Sequence, residues 1–267
     1  MTTPHTHTYA VEAYNLSHAS ENKIHDDSVA RKLGFTGGLV PGVEVFAYAT
    51  HPALEHFGRA FLERGTMDCR FFKPVYDGHR ADVTATEVSG ALDIVVESDS
   101  TLCAKGTACL PQGHVSPPAL ASYTSSTPPA DRPPANETSL SPGRALSIAP
   151  FTLSEDILKS YLSNVRETNP LYANEGLAHP GILLRMCNSA LRENVVLPPW
   201  IHTGSKLQNF ATACVGDELS IRSRVTDNYE RKGHRLVDLD CLLLANGTTP
   251  IAHVAHTAIY QLHHLAA

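Results

Sequence analysis

The sequence predicts an α+β fold built from two similar halves, each with an antiparallel sheet wrapped on one central helix. A Pro-Gly dipeptide opens an apolar segment twice, at Pro41-Gly42 and again at Pro180-Gly181. Alternating runs rich in β-branched residues follow each of these segments. A stretch rich in Pro, Ser and Thr separates the two sets, so the pattern is typical of a duplicated unit.

The alternating runs predict the strands. Their period of two, together with turn dipeptides such as Ser89-Gly90 and Asn246-Gly247, indicates antiparallel hairpins. The predicted strands cover residues 81–88, 91–97 and 101–110 in the first half and residues 219–226, 234–244 and 252–262 in the second. Two such halves are expected to pair their sheets edge to edge within one chain.

The middle of the chain predicts the division into domains. Residues 113–144 show little apolar periodicity and cannot build a core. They are predicted to be a linker, with room for part of the segment to pack as an extended strap. The N-terminal half then covers residues 1–112 and the C-terminal half residues 145–267.

Composition excludes several classes of protein. The chain has 267 residues, of which 42% are hydrophobic and 18% charged, which suits a globular protein with a sizeable core. A net charge of −6 without Lys/Arg-rich runs argues against nucleic acid as a partner. No apolar run approaches the roughly 18 residues that a membrane helix needs. The first residues lack the basic start and apolar core of a signal peptide, so a cytoplasmic location is expected.

Cysteine and histidine usage predicts a reducing compartment and no metal site. The six cysteines are scattered, and none forms a C-x-x-C pair. Among the fifteen histidines, His5 with His7 and His263 with His264 lie near the termini, where solvation is expected. P-loop, Rossmann and G-x-S-x-G patterns are absent from the sequence.

The segment from Ser20 to Gly42 is the candidate site. It places Asn22, His25 and two aspartates in one polar turn, followed by a Gly-rich loop and the start of the first apolar helix. A helix start presents unpartnered N–H groups with partial positive charge. An acyl carbonyl oxygen bound there would be polarised while His25 handles a proton. The alternative is a turn and a helix cap with a solvated histidine.

Two ordered motifs carry a family resemblance. The first reads N-x-I-H-D-D, then A-x-x-x-G-F, then G-x-x-x-x-G, and ends at Gly42; the second reads R-F-x-K-P-V-x-x-G over residues 70–78. Together they resemble the MaoC-like hydratase/dehydratase family, whose members have hotdog folds and act on acyl thioesters. The resemblance implies a double hotdog in which 70–78 is a strand. It also implies an enoyl-CoA type hydratase or dehydratase, or a divergent lyase, without a cofactor, since coenzyme A or an acyl carrier enters only as part of the substrate.

The resemblance also assigns roles to residues. His25 is the implied acid/base, the Gly42 N–H the oxyanion donor, and Asn22 an orienting group. The family has an aspartate five residues before the histidine, where this chain has Ser20, a hydroxyl that could only position a water.

Three carboxylates are candidates to replace that aspartate, and each also has a structural interpretation. Asp26 and Asp27 neighbour His25, but Asp27 fits a helix N-cap. Glu44 fits an acid in the first turn of the central helix, where it complements the helix dipole.

The second half looks degenerate at the same positions. Tyr172 stands in place of the histidine, although Glu167 retains a carboxylate. We therefore interpret the second half as structural. Two further functions stay open: a non-catalytic acyl-binding or partner subunit, and a hotdog thioesterase. The expected partner is a small-molecule acyl thioester, and a homodimer of the whole chain is compatible with the sequence.

Overall fold

One antiparallel sheet packs around two central helices in the computed structural model, which describes residues 5–263. The helices of this part of the chain are α1 Asp27–Lys32, α2 Gly42–Phe57, α3 Arg59–Arg64, α4 Glu155–Asn164, α5 Pro170–Glu175 and α6 Pro180–Arg192. The strands of the first half are β1 Thr6–Glu12, β2 Thr66–Phe71, β3 Arg80–Val88, β4 Ala91–Ser98 and β5 Thr101–Cys109. Those of the second half are β6 Ala145–Ser147, β7 Phe151–Thr152, β8 Ile201–Asn209, β9 Glu218–Arg231, β10 His234–Ala245 and β11 Thr249–Gln261.

The strand order confirms the predicted pairing of two halves. The sheet runs β1-β3-β4-β5-β2-β8-β11-β10-β9-β6, with β7 paired to β9, so the order in one half mirrors that in the other. The two predicted sheets are therefore one continuous sheet joined where β2 meets β8. At this junction Met67 lies opposite Leu207 and Cys69 opposite Ser205.

The central helices begin where the Pro-Gly dipeptides predict. The first, α2, begins at Gly42 and is buried on nearly every side through Thr50, as expected for a helix enclosed by a sheet. The second, α6, begins at Pro180, and its first turn starts with a proline that needs no hydrogen-bond acceptor. Both helices contribute to one continuous hydrophobic core with the strands.

The predicted meander strands are present as β3, β4, β5, β9, β10 and β11. The expected strand over residues 70–78 is largely wrong, because β2 ends at Phe71. Beyond it, the amides of Phe72 and Lys73 both donate to the carbonyl of Cys103, and Pro74 has no N–H with which to continue the ladder. Residues 72–78 therefore form a loop, which leaves room beside the start of α2.

The predicted linker packs in part as a strap across the outer face of the second half. Tyr123 is buried against Leu242 and Leu244 of β10, and its hydroxyl donates to Asp240 at 2.7 Å. Further along, Arg132 donates to Glu21 of the first half at 2.9 Å.

Among the helices of residues 5–263, none combines the length and the apolar composition that a membrane span requires.

An ion pair joins the two central helices. Glu44, in the first turn of α2 as predicted, is fully buried, and Arg185 of α6 donates to its Oε1 at 2.5 Å. Its Oε2 has no hydrogen-bond partner. Burial raises the pKa of Glu44, and the Arg185 guanidinium opposes that shift. Glu44 therefore joins the two helices, and among residues 5–263 it makes no hydrogen bond to His25.

Arg185→Met should lower the free energy of unfolding by about 3 kcal/mol at neutral pH, because it leaves a buried carboxylate unpaired. A carboxyl group with a raised pKa in the folded state stabilises at low pH and loses that contribution as pH rises. The loss should therefore be smaller at pH 5 than at pH 7.5 in urea denaturation.

The matched control is the double variant Glu44→Gln, Arg185→Met, which removes the charge together with its partner. It should be more stable than Arg185→Met alone, and its stability should lack the extra pH dependence. If the single and the double variant lost the same free energy of unfolding, the stabilising role of this ion pair would be contradicted.

Candidate active site

A cavity of about 210 Å³ lies between the halves, beside the start of α2. Its wall is formed by the turn before α1, the loop after β2, the start of β8 and one side chain from α6. Most lining side chains are apolar, among them Ile24, Leu39, Val45, Phe71, Trp200 and Ile259. The polar or charged ones are Asn22, His25, Lys73, Asn188, His202 and Thr203. An apolar cavity with a few convergent polar groups is the usual form of a small-molecule site.

His25 lies in the wall of this cavity as a neutral imidazole. It ends a 3₁₀ turn, Lys23–His25, and is only 8% exposed. Its Nδ1 lies 2.7 Å from the carbonyl oxygen of Leu39, so Nδ1 carries the proton and donates it. Burial lowers the pKa of His25 to about 4, although the bond to Leu39 opposes the shift. Its Nε2 therefore holds a lone pair at neutral pH.

Asn22 fixes the other ring nitrogen and ties the site to the second half. Its Nδ2 donates to Nε2 of His25 at 3.2 Å and to the carbonyl of Trp200 at 3.0 Å. Its Oδ1 accepts from the amide of Trp200 at 3.2 Å. The backbone of Trp200 bonds both Nδ2 and Oδ1 of Asn22. These two bonds fix the orientation of the side-chain amide, so its N–H donor faces His25.

The structure places Ser20 apart from these groups. Its Oγ donates to the backbone carbonyl of Asn22 at 3.2 Å, and the residue does not line the cavity. Ser20 thus supports the turn that carries Asn22 and His25, and the positioning of a water by its hydroxyl stays a prediction.

The two neighbouring aspartates also point elsewhere. The N-cap of α1 is Asp26, whose carboxylate accepts from Ser28 N at 2.9 Å and Val29 N at 3.1 Å, so the predicted cap at Asp27 is wrong. Asp27 instead accepts from the amide of Gly38 at 2.7 Å and holds the Gly-rich loop. Within residues 5–263, no carboxylate makes a hydrogen bond to His25.

Gly42, the first residue of α2, lies in the wall of the cavity. Pro41 precedes α2 without any side-chain cap, and the first amides of a helix have no acceptor within it. A Cβ at Gly42 would lie 2.9 Å from Nδ1 of His202 and 3.2 Å from the ring of Phe71. Only glycine fits this close approach. Gly42 thus brings the positive end of α2 to the cavity wall.

The equivalent helix start in the second half is filled by side chains. A Cβ at Gly181 would overlap the Tyr161 hydroxyl. The amide of Gly181 already donates to Nδ1 of His179 at 3.0 Å. Tyr172, the predicted counterpart of His25, is fully buried, and the centre of its ring lies 4.6 Å from that of His179. No space for a ligand remains at this point.

Glu167 is likewise committed to internal contacts. It accepts from His51 Nδ1 at 2.8 Å and from the amide of Asn169 at 2.6 Å, and it lies 3.5 Å from His179 Nε2. Burial raises the pKa of Glu167, but the hydrogen bonds from His179 and His51 outweigh it, and the pKa falls below its usual range. The charged carboxylate thus ties α2 to the second half.

Sequence reasoning missed His202, which the second half contributes to the cavity. This residue is 5% exposed and lies at the start of β8. Burial lowers its pKa to about 3, with a smaller opposing effect from the backbone of Gly204. No motif marks it, because its position depends on which strands meet at the junction.

A separate histidine group lies outside the cavity. The ring nitrogens of His5, His7 and His56 lie within 4.8 Å of one another. The sequence predicts solvated terminal histidines; His5 is exposed, whereas His7 is half-buried against His56. The predicted solvation of His264 lies outside the described residues.

No family model matches the sequence, and no curated protein matches it significantly. Solved structures do match. A MaoC domain protein of Chloroflexus aurantiacus, described as a dehydratase, superposes with a TM-score of 0.65 at 10% identity, over 98% of this chain and 96% of that one. A Mycobacterium tuberculosis protein with a double hotdog fold gives a TM-score of 0.66 at 12% identity, over 97% and 96%.

The fold is a double hotdog. A third match, the dehydratase domain of a module of the curacin polyketide synthase, has a TM-score of 0.52 at 11% identity and covers 85% of each chain. At such low identity these likenesses establish the architecture alone, and the chemistry has to be argued from the site.

Tyr172→Phe should change activity by less than about twofold, because the hydroxyl faces Thr50 without making a hydrogen bond of normal geometry. Steady-state kinetics on an acyl thioester would measure this. Loss of activity in Tyr172→Phe, with activity retained in His25→Ala, would mean that the roles of the two halves are reversed.

Proposed function

We propose that the protein hydrates or dehydrates an acyl thioester in the cavity between its halves. The observation that carries the proposal is that His25 and the open helix start at Gly42 line the same cavity. One supplies a basic nitrogen, and the other supplies partial positive charge. The dehydratase descriptions of the matching structures agree with this chemistry.

The helix start would bind the thioester oxygen. Removing the α-proton of an acyl thioester, or adding water to its double bond, places negative charge on that oxygen. Donors aimed at the position where charge develops lower the barrier more than donors that bind the ground state. The amides of Gly42 and Val43 have no acceptor within α2 and meet this requirement, whereas the amide of Glu44 already donates to the carbonyl of Pro41.

Asn22 and His25 would hold the reacting water. A water between them accepts from Nδ2 of Asn22 and donates to Nε2 of His25. The direct bond between these two side chains is 3.2 Å long, and the water would take its place by bonding to both nitrogens. The apolar wall would hold the acyl chain.

One imidazole then performs both proton transfers. In hydration, the water oxygen bonds to the β-carbon as its proton moves to Nε2 of His25, and the resulting imidazolium gives that proton to the α-carbon. Dehydration reverses these steps. Because burial holds the pKa of His25 near 4, the imidazolium is a strong acid and readily returns the proton. A single base implies that hydrogen and hydroxyl add to the same face.

The test is His25→Ala with an enoyl thioester as substrate. Turnover should fall on the order of 10²-fold or more, as expected for the loss of a positioned acid/base. Ser20→Ala is the matched control from the same turn, and it should remain close to wild type because the Ser20 hydroxyl contacts only a backbone carbonyl. Loss of the enoyl absorbance and release of free thiol should be followed together.

These two readouts separate the alternatives. Enoyl loss without thiol release supports hydration. Thiol release points to a thioesterase. Full activity in His25→Ala would refute the mechanism at His25, and binding of an acyl thioester without turnover would favour a non-catalytic acyl-binding protein.

A further inference from the structure

A chain of polar side chains joins Asn188 of α6, half-buried in the cavity wall, to three buried residues on one face of the sheet. Oδ1 of Asn188 lies 3.0 Å from Nε2 of His256, whose Nδ1 lies 2.8 Å from Oγ of Ser205. The same Oγ lies 2.8 Å from Nε2 of His202. Nδ1 of His202, at the end of this chain, is buried and has no hydrogen-bond partner among residues 5–263.

A β-bulge creates this alignment. Residues three apart on a regular strand point to opposite faces of the sheet. Between β8 and β11 the register shifts, so that Gly204 pairs with Thr257 but His202 pairs with Ala258. Thr203 is therefore an extra residue, and the bulge turns His202 to the same face as Ser205.

The chain fixes the proton on each ring. An amide oxygen only accepts, so His256 donates from Nε2, and its Nδ1 is left to accept from the Ser205 hydroxyl. The oxygen of Ser205 then accepts from Nε2–H of His202. Burial lowers the pKa of both histidines, which keeps each of them neutral with one proton. His202 thus presents a bare lone pair on Nδ1.

That lone pair lies beside the helix start at Gly42, on a residue that lines the cavity. His202 lines the cavity, and its Nδ1 would be 2.9 Å from a Cβ at Gly42. A buried acceptor without a donor is unfavourable, and a ligand with an O–H group there would remove that penalty. Nε2 of His25 is an acceptor on another residue of the same wall, so the cavity offers two imidazole lone pairs to O–H groups.

We propose that Nδ1 of His202 binds the O–H group of the reacting oxygen and thereby selects β-hydroxyacyl thioesters over acyl thioesters that lack the hydroxyl. The inference rests on the proposed function, because it takes the cavity to be the acyl site. In hydration, the two rings hold both O–H groups of the water, Asn22 holds one oxygen lone pair, and the other lone pair faces the β-carbon. His202 acts by binding, and the transferred proton passes through His25.

The test compares two unreactive ligands by isothermal titration calorimetry. They are the pantetheine amides of 3-hydroxybutyrate and butyrate, in which nitrogen replaces the thioester sulfur and the α-proton is too weakly acidic to be removed. The wild type should bind the hydroxylated amide at least about tenfold more tightly. His202→Leu should lose this preference, and His202→Asn, which can place an oxygen near the Nδ1 position, should keep part of it.

His179→Leu is the matched control. It removes another buried histidine, outside the cavity wall, and should keep the preference despite any loss of stability. Long-range ¹⁵N–¹H NMR of the wild type provides a readout that needs no variant, and it should show the His202 proton on Nε2. A proton on Nδ1, or an unchanged preference in His202→Leu, would overturn the inference.

The two proposals fail in different ways. If His202→Leu abolishes the preference while His25→Ala keeps full turnover, the His25 mechanism is wrong and the inference about His202 stands. If His25→Ala is inactive and His202→Leu still discriminates, only the inference about His202 is wrong. A wild type that binds neither amide would overturn both.

An independent observation concerns the histidine group at the outer edge of the sheet. Nε2 of His7 lies 3.0 Å from Nδ1 of His5 and 3.1 Å from Nδ1 of His56. A neutral ring nitrogen carries either one proton or one lone pair, so two such close nitrogens are poorly satisfied by hydrogen bonds alone. Tetrahedral zinc with Zn–N bonds of about 2.0–2.1 Å sets its ligand nitrogens about 3.4 Å apart, close to this spacing.

We infer that His5, His7 and His56 bind a zinc-like divalent cation that ties β1 to the end of α2. His5 and His7 share one side of the extended chain, and the carbonyl of His5 accepts from the amide of Glu87 at 2.9 Å. His56 lies in the last turn of α2.

Calorimetric titration of the full chain with zinc chloride tests this site. One zinc ion should bind per chain, and His56→Gln should weaken binding at least about tenfold, since one of three ligands is lost. His114→Gln, which removes an exposed histidine from the connecting segment, should bind zinc as the wild type does. Equal affinity in wild type and His56→Gln would mean an adventitious ion only.

Discussion

The pairing of β2 with β8 is the constraint on which the site depends. It joins the two halves into one sheet and sets the end of β2 beside the beginning of β8. As a result, Phe71 from the first half and His202 from the second meet at Gly42. Polar contacts also join the two halves. The side-chain amide of Asn22 bonds to the backbone of Trp200, and Glu44 forms an ion pair with Arg185. The cavity therefore belongs to neither half alone.

The two halves share a frame but differ at the helix start, and packing explains the difference. Protein interiors are close-packed, so a space beside a glycine is filled by a side chain or kept open by rigid neighbours. At Gly181, Tyr161 fills it, and His179 takes the amide that a ligand would use. At Gly42, Phe71 and His202 approach closely but leave the cavity beside them open. In the second half, side chains thus fill the helix start, and this half contributes one wall of the cavity at Gly42.

Electrostatics at the cavity follow from burial. His25, His202 and His256 are all buried, and each has a pKa lowered because a charged imidazole would lose its hydration. Neutral rings can be tied into hydrogen-bond chains with defined tautomers, and such bonds strengthen in a low-dielectric interior. Because no carboxylate of residues 5–263 makes a hydrogen bond to His25, the proposed chemistry depends on where these lone pairs point.

The sequence by itself determined the repeat, both central helices, the meander strands and the turn that carries Asn22 and His25, because these depend on local periodicity and on Pro and Gly at fixed positions. It could not place the carboxylates: Asp26 and Asp27 are adjacent, and only the folded loop decided that one caps α1 and the other holds Gly38. It gave no sign of His202, whose direction depends on a bulge between strands far apart in the chain. Long-range register decides which side chains face one cavity, and register is a property of paired strands that no single segment contains.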